Sequence, residues 1–313
     1  MQMLEFLKPA QDAPRTWLWA IASLLAALLS VSEFRGQNSV DQIQAVAETG
    51  DTVALTHLGD IYRAGKGLPQ DFVQAVRCYQ KAADKGYAPA QIDLGTMYHL
   101  GLGVPQNDAE AARWWTNPAR QGHSVAQFML AQLYRDGAGV QQNLPEALRL
   151  FALAAQHGMG SAQESLGILY YQGRGVQQDY AKAMEMLQPQ ADAGSPNAQF
   201  YVGLMFKSGL GVPKDLSKAA QWVAKAAEWG LVPAQLEFGG MLRDSEGVDR
   251  NYGEAYKWFS LAAERSDKEN KDKALSGQSS VRKYLSAEKI AELQADVAAW
   301  VAQHPPAVPG NYR

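Results

Sequence analysis

Apolar residues between positions 40 and 263 recur at helical spacing, in short stripes that glycines cut off. Ala90, Leu94, Met97 and Tyr98 line one such stripe, and Gly101 and Gly103 end it. Two glycines so close together supply the positive φ needed for a tight reversal. A second stripe, Ala75, Cys78, Tyr79, Ala82 and Ala83, ends at Gly86 in the same way. The pattern predicts helix, tight turn, helix, tight turn.

The unit has a fixed length of 36 residues and is written six times without an insertion. A tiny residue inside the first stripe recurs as Gly59, Gly95, Ala131, Gly167, Gly203 and Gly239. Glycine costs about 1 kcal/mol against alanine inside a helix, so its recurrence predicts a place where a second helix comes very close. The second turn glycine is Gly67, Gly103, Gly139, Gly175, Gly211 and Gly247. Asp71, Asn107, Asn143, Asp179, Asp215 and Asn251 open the second helix of each unit, every one able to accept from free first-turn amides. Neither helix can bury its stripe alone. Neighbouring units must therefore stack, and the expected fold is all-α, an α-solenoid of six helix-turn-helix repeats.

The strings AQIDLGTMYHLGLGVPQND from Ala90 and AQESLGILYYQGRGVQQDY from Ala162 resemble the Sel-one-like repeat family, a tetratricopeptide-like class of helical hairpins. The resemblance covers residues 40 to 263. It implies a right-handed superhelix whose first helices line a concave face, and protein–protein interaction as the usual role.

The ends of the chain read differently. Residues 1–15 are polar, and Trp17 to Val31 carries no charge between Arg15 and Glu33. As a helix that stretch spans about 22 Å, short against roughly 30 Å of hydrocarbon. Residues 16–35 are thus expected to be a signal or anchor helix, with Lys8 and Arg15 favouring a cytoplasmic N-terminus. An uncleaved anchor and a cleaved signal both remain open, Ser30-Val31-Ser32 being a weak cleavage site. Either places the repeats in a periplasm, tethered to the inner membrane if uncleaved, whereas a cytoplasmic capping helix is the third reading. Val40 to Thr49 reads as the second helix of an incomplete unit covering the first repeat. The solenoid is expected over residues 36–266 and a C-terminal capping region over 267–304. Within these, Glu264 to Lys273 is read as a solvated loop or helix end, and Ser286 caps a last amphipathic helix through Leu293, Val297 and Trp300. The tail 305–313 is expected to be loose.

A formal net charge of −3 over 313 residues gives no nucleic-acid signature, and the one cysteine excludes an intrachain disulfide. None of the five histidines has a partner at metal-ligand spacing, and no catalytic motif appears. The Gly-x-Gly turns follow helices and lack a Gly-Lys-Ser/Thr ending, so they are structural turns rather than phosphate loops. Cys78 shares its column with Trp114, Leu150, Met186, Trp222 and Trp258 and is expected in the core. No cofactor, no metal and no enzyme activity are expected.

What remains is one face of the first helices. Counted from the tiny residue, offsets −3, +1 and +4 share a face, and the family resemblance assigns that face to the groove. The +4 column is basic or aromatic throughout: Arg63, His99, Arg135, Tyr171, Lys207 and Arg243. With Phe128, Gln132, Ile168, Phe200, Leu204 and Leu236 these are the candidate partner-binding residues. The basic column either satisfies helix-terminal carbonyls or grips an acidic segment of a partner protein, and the apolar set would add a contact patch. The expected function is non-catalytic protein binding in the bacterial envelope, as a scaffold or as an immunity protein against a secreted, lipase-type toxin. The rival reading is an enzyme or binding protein acting on cell-wall glycan, for which Asp60, Glu164, Glu237 and Asp244 are the available acids.

Overall fold

The computed structural model describes residues 39–303, and among them there are fifteen helices and no strands. The segments read as 1–15, 16–35 and 305–313 lie outside the described residues. No described helix is long and apolar enough to cross a membrane. Residues 39–48 form α1. The six units then follow as helix pairs: α2 Thr52–Ala64 with α3 Phe72–Ala83, α4 Ala88–Leu100 with α5 Asp108–Arg120, and α6 Ser124–Asp136 with α7 Leu144–Gln156. The later pairs are α8 Gly160–Gln172 with α9 Tyr180–Asp192, α10 Pro196–Ser208 with α11 Leu216–Glu228, and α12 Val232–Asp244 with α13 Tyr252–Arg265. Two helices close the chain, α14 Lys268–Arg282 and α15 Ala287–Gln303.

The expected turn chemistry is present in every unit. All six Asp or Asn caps accept a hydrogen bond from a first-turn amide. The first helices end in the left-handed region, at Gly65, Gly101, Gly137, Gly173 and Gly209. In the sixth unit Ser245 takes that conformation at φ 63°, the one non-glycine with positive φ among the described residues. The second turn glycine has a further role that turn chemistry alone did not predict. A Cβ on Gly103 would strike the backbone of Phe72, and one on Gly211 would lie 2.6 Å from the Tyr180 carbonyl oxygen. The turn of each unit from the second onward thus rests on the start of the preceding unit's second helix, and Gly67 of the first unit rests on Val40 of α1.

The tiny residue does what its recurrence predicts. A Cβ on Gly95 would run into the Trp115 indole, and one on Gly167 would sit 2.6 Å from Leu187 Cγ. Ala131 is wholly buried. One recurring side chain went unread in the sequence. Gln91, Gln127, Gln199 and Gln235 are buried, and each donates from Nε2 to the carbonyl eight residues earlier: Ala83, Ala119, Ala191 and Ala227. These carbonyls lie at the ends of the preceding second helices, where the backbone runs out of intrahelical donors. The glutamine therefore stitches one unit to the next.

The described residues fall into two compact units that part between Gln142 and Asn143, within the third repeat. The first holds a core of Leu58, Tyr79, Leu94 and Met97, with Cys78 buried among them as expected. The second carries cores around Leu187, Val202 and Met205 and around Val223, Tyr256, Phe259 and Leu261. At its end the sequence reading needs correction. Residues 268–273, read as loop or helix end, open α14, capped by Asp267. The helix buries only Ala274, Gly277 and Val281, too thin a stripe to stand out from its polar composition. Gly277 lies on the Phe259 ring, its Cβ position 2.6 Å away, while Gly239 approaches the same ring. Thus α14 packs on α13 through a tiny residue, as a repeat helix does. The last helix begins as expected, with Ser286 Oγ accepting from Lys289 N at 3.2 Å.

Candidate functional site

The +4 column belongs to the last turn of each first helix, so its side chains emerge beside the following turn. The structure gives every basic member an acid of its own. Arg63 Nη2 lies 3.2 Å from Asp60 Oδ1, and His99 Nδ1 lies 2.6 Å from Asp108 Oδ1. Arg135 and Arg243 each pair with the next residue, Asp136 and Asp244, at 2.7 and 2.6 Å. Lys207 Nζ is 2.6 Å from both Glu237 and Glu246. The hydrogen bonds to these acids raise the pKa of Arg135 and Arg243. Of the two readings of the column, the one in which it satisfies helix-terminal carbonyls meets a turn glutamine already there in three units: Gln70, Gln142 and Gln178 donate to Arg63 O, Arg135 O and Tyr171 O. The column is thus a row of internal ion pairs, and a grip on an acidic segment would have to break them.

In the first unit the ion pair extends inward. Tyr79 Oη donates to Asp60 Oδ1 at 2.8 Å and accepts from Arg63 Nε at 3.1 Å. Burial, and then the Asp60 charge, push the Tyr79 hydroxyl pKa up. Asp93 on α4 lies near enough to feel Asp60, and burial together with that charge lifts its carboxyl to about 6. Phe128 and Gln132 are half-buried on α6.

The apolar candidates come together in the second unit. Ile168, Tyr171, Phe200, Leu204 and Leu236 are all half-buried, on the successive first helices α8, α10 and α12. The Tyr171 and Tyr201 rings meet edge to face at 5.0 Å, Phe200 stands 5.8 Å from Tyr201, and Gln172 Nε2 donates to the Tyr201 hydroxyl at 3.1 Å. Tyr201 was missed in the sequence because its column holds His57, Asp93, Met129, Ser165 and Glu237 elsewhere, with no shared chemistry. The acids considered for glycan chemistry are engaged. Asp60 and Glu237 are ion-paired as above, Asp244 with Arg243, and Glu164 accepts from Ser195 Oγ. Among the described residues no group of three or more His, Cys, Asp or Glu is placed to hold a metal ion.

Comparison with known proteins matches this arrangement to a repeat family. The Sel1 repeat model matches residues 52–87, 88–123, 124–159, 160–195, 196–230 and 232–267, the same register as the helix pairs. Among solved structures, a protective antigen of uropathogenic Escherichia coli strains, described as displaying an SLR fold, is 31% identical with a TM-score of 0.78. The match covers 87% of this chain but 57% of that protein, so this chain spans little more than half its length. A Sel1 repeat protein from Oxalobacter formigenes is 27% identical with a TM-score of 0.66, covering 78% of this chain and 97% of that one. An immunity protein from Pseudomonas aeruginosa also matches, at 17% identity and a TM-score of 0.41 over 62% of this chain and 74% of that one, too distant to carry an argument about function. Among curated proteins none matches. Six repeat matches in unbroken order, together with the shared fold, place this chain in the Sel1 repeat family.

Proposed function

We propose that this protein is a non-catalytic binding module of the bacterial cell envelope, holding a partner protein on the first helices of its second unit. The observation that carries the reading is the patch on α8, α10 and α12. There Ile168, Tyr171, Phe200, Tyr201, Leu204 and Leu236 stand half-exposed on neighbouring helices of an interaction fold. Apolar and aromatic side chains left at such positions mark contact sites, and aromatic anchors carry a large share of binding energy. A stacked array presents them already ordered, which lowers the entropic cost of association. The cations of the +4 column are occupied by carboxylates of this chain, and the apolar patch makes the contact. The uncharged stretch from Trp17 to Val31 supports export and tethering to the inner membrane. A scaffold for an envelope assembly and an immunity protein against a secreted, lipase-type toxin both use such a surface.

Affinity capture of the full chain from its own envelope fraction tests the reading. Phe200→Ala with Tyr201→Ala is expected to lose the partner while keeping the helical content. Loss of one aromatic anchor costs about 2 kcal/mol or more, about thirtyfold in affinity. Retention of the same partner at the same yield by the double variant would remove the patch from the interface. A single toxin-like partner indicates immunity, and a set of envelope components indicates a scaffold.

A further inference from the structure

The +1 column is filled in five units, by Asp60, Thr96, Gln132, Ile168 and Leu204. In the sixth it is Gly240, where an added Cβ would meet no atom within 4 Å. The missing side chain opens a recess of about 630 Å³ between α12 and α14. Leu236, Phe259 and Gly277 supply apolar lining, and α14 adds Asp272, Lys273 and Ser276. The recess exists because Gly240 stands on α12 where the other units carry a side chain, and it reaches Gly277 on α14.

Its charge is the opposite of what the +4 column suggests. Three cations line it, Lys207, Arg243 and Lys273, against four carboxylates, Glu237, Asp244, Glu246 and Asp272. Every one of those cations is engaged. Lys207 is shared by two glutamates, Arg243 is paired with Asp244, and Lys273 turns to Glu269 at 2.7 Å. Asp272 makes no ion pair among the described residues. An incoming anion would meet surplus carboxylate and cations that are already paired, whereas a cation finds acceptor oxygens beside an apolar wall.

We infer that the recess at Gly240 seats an arginine or lysine side chain of the partner protein, its methylene stem on Leu236 and Phe259 and its charge toward Asp272 and the Glu237–Glu246 pair. Long basic side chains bury their stems along apolar surface while the head stays with polar groups. The inference rests on the reading above, that a protein docks on this face, and it fixes the chemistry of the segment that reaches α12. At this end of the array a basic residue of the partner is recognised rather than an acidic one.

The test uses n-butylguanidinium as a side-chain mimic, with n-butyrate and n-butanol beside it, in saturation-transfer NMR on the full chain. Saturable binding in the millimolar range is expected for the guanidinium, about tenfold weaker or absent for butyrate. Gly240→Leu fills the recess and should abolish the signal. The same change should leave the melting temperature unchanged or raised, because glycine is the poorer helix former and a new Cβ there meets nothing. Asp272→Asn should weaken the guanidinium several-fold. No saturable signal, equal binding of butyrate, or undiminished binding by the Gly240→Leu variant would each overturn the inference. Partner capture separates its failure from that of the reading beneath it. Capture retained by Gly240→Leu but lost with Phe200→Ala and Tyr201→Ala refutes the recess alone, and capture retained by both refutes the docking face.

Discussion

Asp93 is held between a desolvating wall of helix and the negative charge of Asp60, and its carboxyl titrates near 6. An unfolded chain releases that proton at about 3.9. Between those values the folded chain keeps a proton the unfolded chain has lost, so stability falls as pH rises from about 4 to 6 and stays lower above. Asp93→Asn removes the penalty. The variant should melt higher than the parent at pH 7.5, by an amount on the order of 2 kcal/mol, and the two should converge near pH 4. Thermal melts at four pH values between 4 and 7.5 decide this, and a variant destabilised equally at both ends refutes the account. Nothing in the sequence marked Asp93, because its shift arises first from burial between packed helices and then from Asp60, 33 positions away in the chain. Gly240 has the same lesson in reverse. As a letter it looked like one more glycine, and only the absence of atoms around it shows an opening.

At the scale of the helix pair, the close approach is set by size rather than by chemistry. Gly167 lets Leu187 lie against the α8 backbone, with the Ala183 carbonyl 3.3 Å from the Cβ position. Gly167→Val puts a branched side chain where there is no room, and helix α9 must move or α8 must bend. The expected loss is about 3 kcal/mol, read as a lower urea midpoint with helicity partly retained at low denaturant. An unchanged midpoint would mean the helices tolerate separation there. The buried glutamines act at the same scale. Each gives a second donor to a terminal carbonyl that already accepts from the turn glycine three residues on, and so ties the end of one unit to the next. Their recurrence at 36-residue spacing was visible, but which backbone group they reach was not, since Gln91 and Ala83 belong to different units.

At the scale of the whole molecule the array needs an end. Trp258, Phe259 and Leu261 of α13 belong to a core that takes Val281 from α14 and Ile290, Leu293 and Val297 from α15. Terminal repeats need a lid with a polar outer face, and α14 and α15 supply it, their exposed sides carrying Lys271, Asp272, Glu288 and Asp296. A chain ending at Ser266 should expose that core, bind a hydrophobic dye and show a lower melting temperature for the second unit. Equal stability without the two helices would mean that the sixth repeat closes itself. The lid also makes half of the Gly240 recess, so the same truncation should remove guanidinium binding.

Periodicity, caps and turn glycines are local, and the amino-acid sequence by itself determined them: six units, the limits of their helices, the tiny residue at each crossing and membership of a repeat class. Each follows from the backbone preference of one residue or the spacing of a few, and sixfold repetition at a 36-residue period makes the signal unmistakable. The tertiary structure decided what depends on distance between units. It gave Lys207 its acids from α12 and its following turn, whereas Arg135 and Arg243 pair locally with the next residue. It showed α14 to be a packed helix, since three small buried residues leave almost no trace in a polar stretch but fit against Phe259 once α13 is in place. Electrostatic and steric environments are sums over neighbours, and which residues are neighbours across the stack is settled only when the units close on one another.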